Sequence, residues 1–134
     1  MIRLVLASTS PARLTLLRAG GIQPITIAPN VDEDREAAAA AEAGLIKGTA
    51  DMVQLLARAK AEAVLDHPDA RDAVIVGCDS SLEFAGVALG KPHEPSVARE
   101  RWLAMRGKSG TLFSGHWVID NRFDSASPEG APAV

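Results

Sequence analysis

The sequence alternates short apolar segments with longer amphipathic ones, and turn residues separate them. The first apolar segment, RLVLA at residues 3–7, ends at the polar turn STSP, and apolar residues at helical spacing continue to Gly20 and Gly21. Short apolar runs between turn residues are typical of buried strands, whereas apolar residues three or four positions apart indicate a helix. The alternation along the chain therefore predicts an α/β protein, with a mixed central sheet flanked by helices.

The same patterns predict the remaining elements. Further strands are expected at residues 23–30, 73–77 and 111–120, with a hairpin-like return through Gly86 after the second of them. Further helices are expected to begin near residues 49 and 95 and to end near residues 68 and 107. Residues 34–48 form a solvated loop or a loose helix, because their alanine run has no strongly apolar face. Residues 1–120 then make one domain, and residues 121–134 a loop or disordered tail.

The composition indicates a globular chain. Its 134 residues are the length of one domain, and 47% of them are hydrophobic, which is enough to bury a core. The net charge of −3 argues against broad electrostatic binding of nucleic acid. No apolar run approaches the roughly 20 residues that span a bilayer, and the single cysteine, Cys78, is compatible with a reducing compartment. We therefore expect a cytoplasmic protein without a nucleic-acid or membrane partner.

The turn after the first predicted strand has the residues of an anion site. Ser10 is a suitable helix N-cap, because its hydroxyl can accept a hydrogen bond from a free backbone N–H of the first turn. Pro11 fits the first helical position, where no backbone donor is needed. Arg13 adds a cation beside N–H groups that bind anions at the start of a helix. An ordinary capped turn explains the same stretch, so an anion site requires partners elsewhere in the chain.

Five charged side chains are candidates for such partners: Arg13, Glu33, Lys60, Asp79 and Lys91. In open α/β sheets, ligands bind beyond the carboxyl ends of the strands. Three cations with two carboxylates suit a polyphosphate and a divalent metal ion, because Lys and Arg neutralise phosphate oxygens and carboxylates hold the metal. Asp79 is the leading candidate, since a carboxylate directly after the apolar segment VIVG is costly to bury without a partner.

Each of these charges also has a structural interpretation. Lys60 can extend over its own helix, Glu33 can be one of several solvated carboxylates, and Arg13 and Lys91 can be surface charges. The three histidines and the single cysteine lack the spacing of zinc ligands. The sequence contains neither the G-x-S-x-G motif of serine hydrolases nor a Walker A motif.

Six motifs together resemble the Maf family of nucleoside triphosphate pyrophosphatases, also known as septum-formation-inhibitor proteins. In chain order they are LASTSPARLTLL (6–17), VDE (31–33), ARAKA (57–61), GCDSSL (77–82), LGKP (89–92) and MRGKSG with FSGHWV (105–118). Each motif alone is weak, but their order and spacing resemble the family from about Leu4 to Val118. The resemblance implies the Maf/inosine-triphosphatase-like fold and favours the functional interpretation of the charges.

The resemblance also implies an activity. Family members hydrolyse a nucleoside triphosphate between its α and β phosphates, which releases a monophosphate and pyrophosphate and removes unwanted nucleotides. By resemblance, Asp79 is the proton acceptor that prepares the attacking water, and Glu33 with Asp79 holds Mg²⁺ or Mn²⁺. The residues expected to bind the polyphosphate are Ser8, Ser10, Arg13, Lys60, Ser80 and Lys91.

Two positions depart from the family pattern. Ala12 and Ser80 stand where many members carry arginine and threonine, and both positions bear on base selectivity, so no base preference is implied. Family members also continue past residue 134. We therefore expect Phe113, Trp117 or Ile119 to be partly uncovered on an edge strand, and the chain to dimerise or associate. The alternative function is a non-catalytic nucleotide-binding or cell-division regulatory module.

Overall fold

The computed structural model describes residues 2–89 and 94–123. The strands in these residues are β1 (Leu4–Ala7), β2 (Ile25–Ile27), β3 (Val74–Phe84), β4 (Val87–Leu89) and β5 (Thr111–Asp120). The α-helices are α1 (Pro11–Ala19), α2 (Glu33–Glu42), α3 (Thr49–Ala63) and α4 (Pro95–Met105). The strands form one mixed sheet, so the predicted α/β class is confirmed.

Helix α1 begins as the sequence predicts. The Ser10 hydroxyl accepts a hydrogen bond from the backbone N–H of Arg13 at 3.3 Å, and Pro11 is the first helical residue. At the other end, Gly20 caps the helix, and Gly21 has a φ of +84°, which favours glycine. The chain then returns so that β2 pairs with β1 in parallel.

The sheet is built around β3, its longest strand. β1 pairs in parallel with residues 74–77 of β3, and β4 pairs antiparallel with residues 82–84. β5 pairs antiparallel with β3 over residues 74–83 and therefore occupies the other edge of that strand. β1 and β4 thus share one edge of β3, and they leave a gap between them at residues 78–81.

Helix α3 packs directly on β3 and β5. A Cβ atom added at Gly77 would lie 2.1 Å from the carbonyl oxygen of Ala57, and one at Gly115 would lie 2.6 Å from that of Val53. Only glycine permits this approach, because real Cβ contacts are not this short. The core beneath the helix includes Val5, Ala7, Ala61, Val64, Ile75 and Ile119.

The segment predicted as a solvated loop or a loose helix, residues 34–48, contains all but the first residue of helix α2. The Asp32 side chain caps it by accepting a hydrogen bond from the backbone N–H of Arg35 at 3.1 Å. The first turn is acidic, which complements the helix dipole, and the alanine run has high helix propensity. These local preferences stabilise the helix, although it buries only Ala40 and therefore gains little from packing.

Two predicted strand boundaries are wrong. β2 covers Ile25–Ile27 and not residues 23–30. β3 does not end at Gly77 but continues to Phe84, so the polar residues 78–81 are not an exit from the strand. The physical reason is β5, which pairs with β3 beyond Gly77 and satisfies its backbone groups whatever side chains it carries. Asp79 therefore lies within a strand.

Among the described residues, β5 pairs along one edge only, with β3. Phe113 and Trp117 are partly exposed as expected, whereas Ile119 is only 2% exposed because it packs in the core under α3. The most exposed apolar side chains of this strand are instead Leu112 and Val118, at 68% and 47%. Dimerisation through this strand stays a prediction.

The end of β5 is followed by an anchored residue. The backbone N–H of Asn121 donates to the carbonyl of Ala73, and its side-chain amide donates to that of Ala70, each at 2.9 Å. The rest of the predicted tail, residues 124–134, lies outside the described residues, so the division of the chain at residue 120 stays a prediction. No helix within residues 2–89 and 94–123 is both long and apolar enough to cross a membrane.

Candidate active site

The gap between β1 and β4 opens into a cleft. Its volume is about 740 Å³, and its walls include Asp79, Lys60, Glu33 and Arg13. A smaller pocket of about 240 Å³ lies against residues 8–10 and shares the last three of these side chains. The two cavities therefore open onto one cluster of charges.

Lys60 lies between two carboxylates at this cluster. Its Nζ atom is 2.8 Å from Oδ1 of Asp79 and 2.5 Å from Oε1 of Glu33. The same ammonium group also donates to the carbonyl oxygen of Cys78 at 3.4 Å. Lys60 and Asp79 are 9% and 7% exposed, so the interpretation of Lys60 as a side chain extended over its helix is wrong. Three elements, α2, α3 and β3, thus meet through one ion-pair network.

Burial and charge act on the pKa values of this network in opposite directions. Burial raises the pKa of the Asp79 carboxyl above its ordinary value, although the hydrogen bond and charge of Lys60 oppose the rise. Burial alone would lower the pKa of Lys60, but the hydrogen bonds and charges of Asp79 and Glu33 outweigh burial and raise it. Lys60 therefore stays protonated at neutral pH, and Asp79 is a better proton acceptor than an exposed aspartate.

The raised pKa of Lys60 predicts a loss of stability at alkaline pH. The folded chain holds the Lys60 proton more tightly than the unfolded chain does, so this contribution to the free energy of unfolding is complete below the ordinary lysine pKa. The contribution is lost as the pH rises through the folded-state pKa, above 10.5. We expect urea unfolding at increasing pH to show this decline in the wild type and a smaller decline in Lys60→Met.

The exposed Lys47 provides the matched control for this measurement. Its side chain makes no contact among those described, so Lys47→Met should retain the wild-type decline. An equal decline in Lys60→Met and the wild type would mean that the folded chain does not hold the Lys60 proton more tightly than the unfolded chain does.

Arg13 is held between two hydroxyl groups. Its Nη1 donates to Oγ of Ser8 and its Nη2 to Oγ of Ser80, both at 3.2 Å. Oγ of Ser8 also accepts the backbone N–H of Ser10 at 3.0 Å. These bonds join the residue after β1, the first turn of α1 and the middle of β3. They bring together four of the residues expected to bind the polyphosphate: Ser8, Ser10, Arg13 and Ser80. The guanidinium group therefore has a defined position beside the N-terminus of a helix, where anions bind.

Ser80 also contacts a residue that the sequence analysis did not identify. Its Oγ is 2.9 Å from Oγ of Ser114, which lies directly opposite on β5. The strand TLFSGHWVID offers two hydroxyl groups, those of Thr111 and Ser114, and the register of β3 with β5 was needed to pair Ser114 with Ser80. Lys91, the remaining predicted site residue, lies outside the described residues.

Glu33 and Asp79 suit a hard divalent cation. Both carboxylates contact the same ammonium group, so they lie on one side of the cleft. No group of three or more His, Cys, Asp or Glu side chains within the described part of the chain could hold a metal ion. Mg²⁺ commonly takes one or two protein carboxylates and fills its other positions with water and phosphate oxygens. The donor set therefore fits an ion that binds together with a polyphosphate.

Known proteins are similar to this chain over most of its length. A nucleoside triphosphate pyrophosphatase of Leifsonia xyli subsp. xyli is 55% identical over 124 residues, which are 90% of this chain and 57% of that protein. Proteins of the same name from Streptomyces avermitilis and Nocardia farcinica are 45% and 52% identical, over 93% and 87% of this chain and 58% and 54% of their own length. The chain thus spans little more than half the length of the curated relatives it matches.

The sequence model of the family described as Maf-like protein matches residues 3–131. The matched region contains α1, α2, α3, β3, β4 and β5, whose side chains line the cleft. A mixed sheet flanked by four helices is consistent with the fold of that family. This chain therefore belongs to the Maf-like protein family.

Proposed function

We propose that the protein hydrolyses nucleoside triphosphates to nucleoside monophosphates and pyrophosphate, and so removes unwanted or modified nucleotides. The observation that carries this proposal is the buried Asp79 carboxylate, bonded to Lys60 and close to the arginine held at the same cleft. The name nucleoside triphosphate pyrophosphatase, which the relatives carry, supports the same reaction.

The polyphosphate is expected to bind between Arg13, Lys60 and the N-terminus of α1. A guanidinium group has five N–H donors, and Arg13 uses two of them on Ser8 and Ser80. The other three have no partner among the described residues, so they can donate to phosphate oxygens. The ammonium group of Lys60 adds positive charge at the cleft, and Lys91 is proposed from its motif as a further cation. Binding in this way neutralises the charge that makes the phosphate groups repel a nucleophile.

Asp79 is proposed to act as the general base. Its carboxylate accepts a proton from water while the water oxygen attacks the α phosphorus. The bond from that phosphorus to the oxygen that bridges the α and β phosphates breaks, and pyrophosphate leaves with the bridging oxygen. Burial supports this role, because it raises the pKa of the Asp79 carboxyl and makes the carboxylate more basic. This chemistry requires an oriented water and charge neutralisation, and it requires no covalent nucleophile.

Glu33 and Asp79 are proposed to hold Mg²⁺ or Mn²⁺. Maf-family pyrophosphatases generally depend on a divalent metal, and when bound such an ion withdraws negative charge from phosphate oxygens. The two carboxylates would supply hard oxygen ligands for this ion. In the free chain, the ion pairs with Lys60 keep the two carboxylates close to each other.

The nucleoside is proposed to occupy the apolar part of the cleft. This part is lined by Met52, Leu56, Leu82, Leu89 and Leu112. Leucine and methionine side chains contact the flat face of a base without selecting among bases by hydrogen bonds, so base preference must come from polar groups at its edge.

Release of pyrophosphate from a panel of common and modified triphosphates, with and without Mg²⁺, tests the proposal on this chain itself. We expect metal-dependent release that forms the monophosphate and no free phosphate. Binding of a triphosphate without turnover, under conditions where a longer relative is active, would favour the non-catalytic nucleotide-binding or regulatory function instead.

Substitution of Arg13 tests the position of the polyphosphate. Arg13→Ala removes charge-assisted hydrogen bonds, each worth about 1.5–3 kcal/mol, so kcat/KM should fall by about ten- to a hundredfold. Arg18→Ala removes an exposed arginine from the last turn of the same helix and is expected to retain wild-type kinetics. Near-native kinetics in Arg13→Ala would mean that the triphosphate binds elsewhere.

The proposed substrates are small nucleotides in the cytoplasm. The single cysteine and the net charge of −3 support a reducing compartment and a partner other than nucleic acid. Location, a homodimeric state and any role in septum formation stay predictions.

A further inference from the structure

We propose that Ser114 is a positioning residue, which orients Arg13 toward the polyphosphate through the hydroxyl group of Ser80. The inference rests on the proposed function and extends it to a strand, β5, on which no site residue was predicted. It is carried by a continuous line of polar atoms that runs from α1 across β3 to β5.

The hydrogen bonds along this line have one direction. The Nη2 group of Arg13 can only donate, so Oγ of Ser80 accepts at 3.2 Å. Geometry allows either serine to donate in the 2.9 Å contact between Ser80 and Ser114. Donation by Ser80 to Ser114 is favoured, because a hydroxyl that donates becomes a better acceptor for a cationic N–H. Ser114 therefore strengthens the contact that holds Nη2.

The hydroxyl group of Ser80 can be a fixed acceptor for Arg13 only if a second partner holds it in one orientation. A serine hydroxyl on an exposed strand position can occupy several rotamers, and among the described residues its Oγ bonds only to Arg13 and Ser114. The opposite side of the guanidinium group is held by Ser8, whose Oγ is itself fixed by the backbone N–H of Ser10. Ser114 gives Ser80 the support that Ser10 gives Ser8, so both terminal nitrogens of Arg13 have defined partners.

The contribution of Ser114 should be visible in catalysis and absent from stability. Both serines are exposed, so water can replace their mutual hydrogen bond in the free chain at little cost. A bound polyphosphate displaces water from Arg13 and makes the orientation of its remaining N–H groups important. A role of Ser114 in folding alone would change the melting temperature and leave KM unchanged.

Threonine and valine at position 114 form a matched pair. The two side chains have nearly the same shape and both suit a strand, but only threonine has a hydroxyl group. We expect Ser114→Val to raise KM for the triphosphate about three- to tenfold with little change in kcat, and Ser114→Thr to restore the wild-type value. Both variants should melt within about 2 °C of each other. Equal KM values for the two variants would overturn the proposal.

A double-mutant cycle tests whether Ser114 acts through Ser80. In the Ser80→Ala background, Ser114→Val should have no further effect on KM, because the hydroxyl that it supports is absent. Additive effects of the two substitutions would overturn the proposed connection through Ser80.

A readout without turnover separates this inference from the proposed function. The NMR signal of the Nε–H group of Arg13 reports the order of its guanidinium group in the free chain and with added pyrophosphate. With pyrophosphate bound, we expect the signal to be broadened in Ser114→Val and sharp in Ser114→Thr, whether or not the chain hydrolyses triphosphates. Identical Arg13 signals in the two variants would overturn the proposal, whereas failure of the proposed function alone would appear as absent turnover with these signals still different.

Discussion

Asp79→Asn is expected to lower kcat for pyrophosphate release by about a hundred- to ten-thousandfold, which is the usual contribution of a general base. The amide has the shape of the carboxylate, and its oxygen can still accept the hydrogen bond from Lys60, but it cannot take a proton from water. Triphosphate binding should survive or tighten, because a negative charge beside the phosphates is removed. Steady-state kinetics and calorimetric binding of a non-hydrolysable triphosphate measure the two effects separately.

Asp34→Asn is the matched control for this substitution. Asp34 lines the same cleft but is exposed and makes none of the described side-chain contacts, so its replacement removes the same charge without removing the base. We expect its kcat to stay close to that of the wild type. A similar small loss in both variants would show that Asp79 acts only through its charge and that another group accepts the proton.

Gly77→Ala should destabilise the fold more than any single loss of a surface contact. The added Cβ would lie 2.1 Å from the carbonyl oxygen of Ala57 and 2.9 Å from Cβ of Ala61, and the nearer of these atoms is backbone that cannot rotate away. Helix α3 must therefore move off β3, at a cost of about 3 kcal/mol or more. This corresponds to a fall in melting temperature of about 10 °C. Because α3 carries Lys60, the displacement should also impair the site.

Gly115→Ala and Gly20→Ala are the comparisons for this prediction, the first as a second closely packed glycine and the second as a control. A Cβ at Gly115 would lie 2.6 Å from the backbone of Val53, so the same mechanism predicts a similar loss. At Gly20 the nearest atom, the carbonyl oxygen of Leu17, is 3.5 Å away, and φ is −83°, so alanine fits there without strain. If thermal melts showed equal changes for Gly77→Ala and Gly20→Ala, close packing of α3 would not be what requires glycine at position 77.

Local sequence patterns predicted most of the fold. The cap at Ser10, the proline at the first position of α1 and the apolar face of α3 each depend on residues within a few positions of one another. Such short-range preferences depend little on distant parts of the chain, which is why the element order and the α/β class could be inferred. The apolar pattern does not distinguish helix α2 from a loop, because its alanine run buries little surface, and here local propensity and the cap at Asp32 form the helix.

The length of β3 could not be predicted in this way. The polar residues 78–81 are typical of a turn, and they stay extended because β5, more than 30 residues later in the chain, pairs with them. Pairing between distant strands depends on backbone hydrogen bonds, and these do not require particular side chains at that position. The position of Asp79 within a strand followed from this pairing.

The sequence by itself determined which side chains were available for chemistry, since cations, carboxylates and hydroxyls at the ends of apolar segments are visible as residue types. Only the tertiary structure decided which of them meet: Lys60 from α3 lies between Glu33 and Asp79, which are 27 residues before and 19 residues after it. It also decided that Ser114 adjoins Ser80. The physical reason is that Gly77 and Gly115 let α3 lie directly on β3 and β5, and this close packing, together with the strand register, sets the distances between groups far apart in the chain.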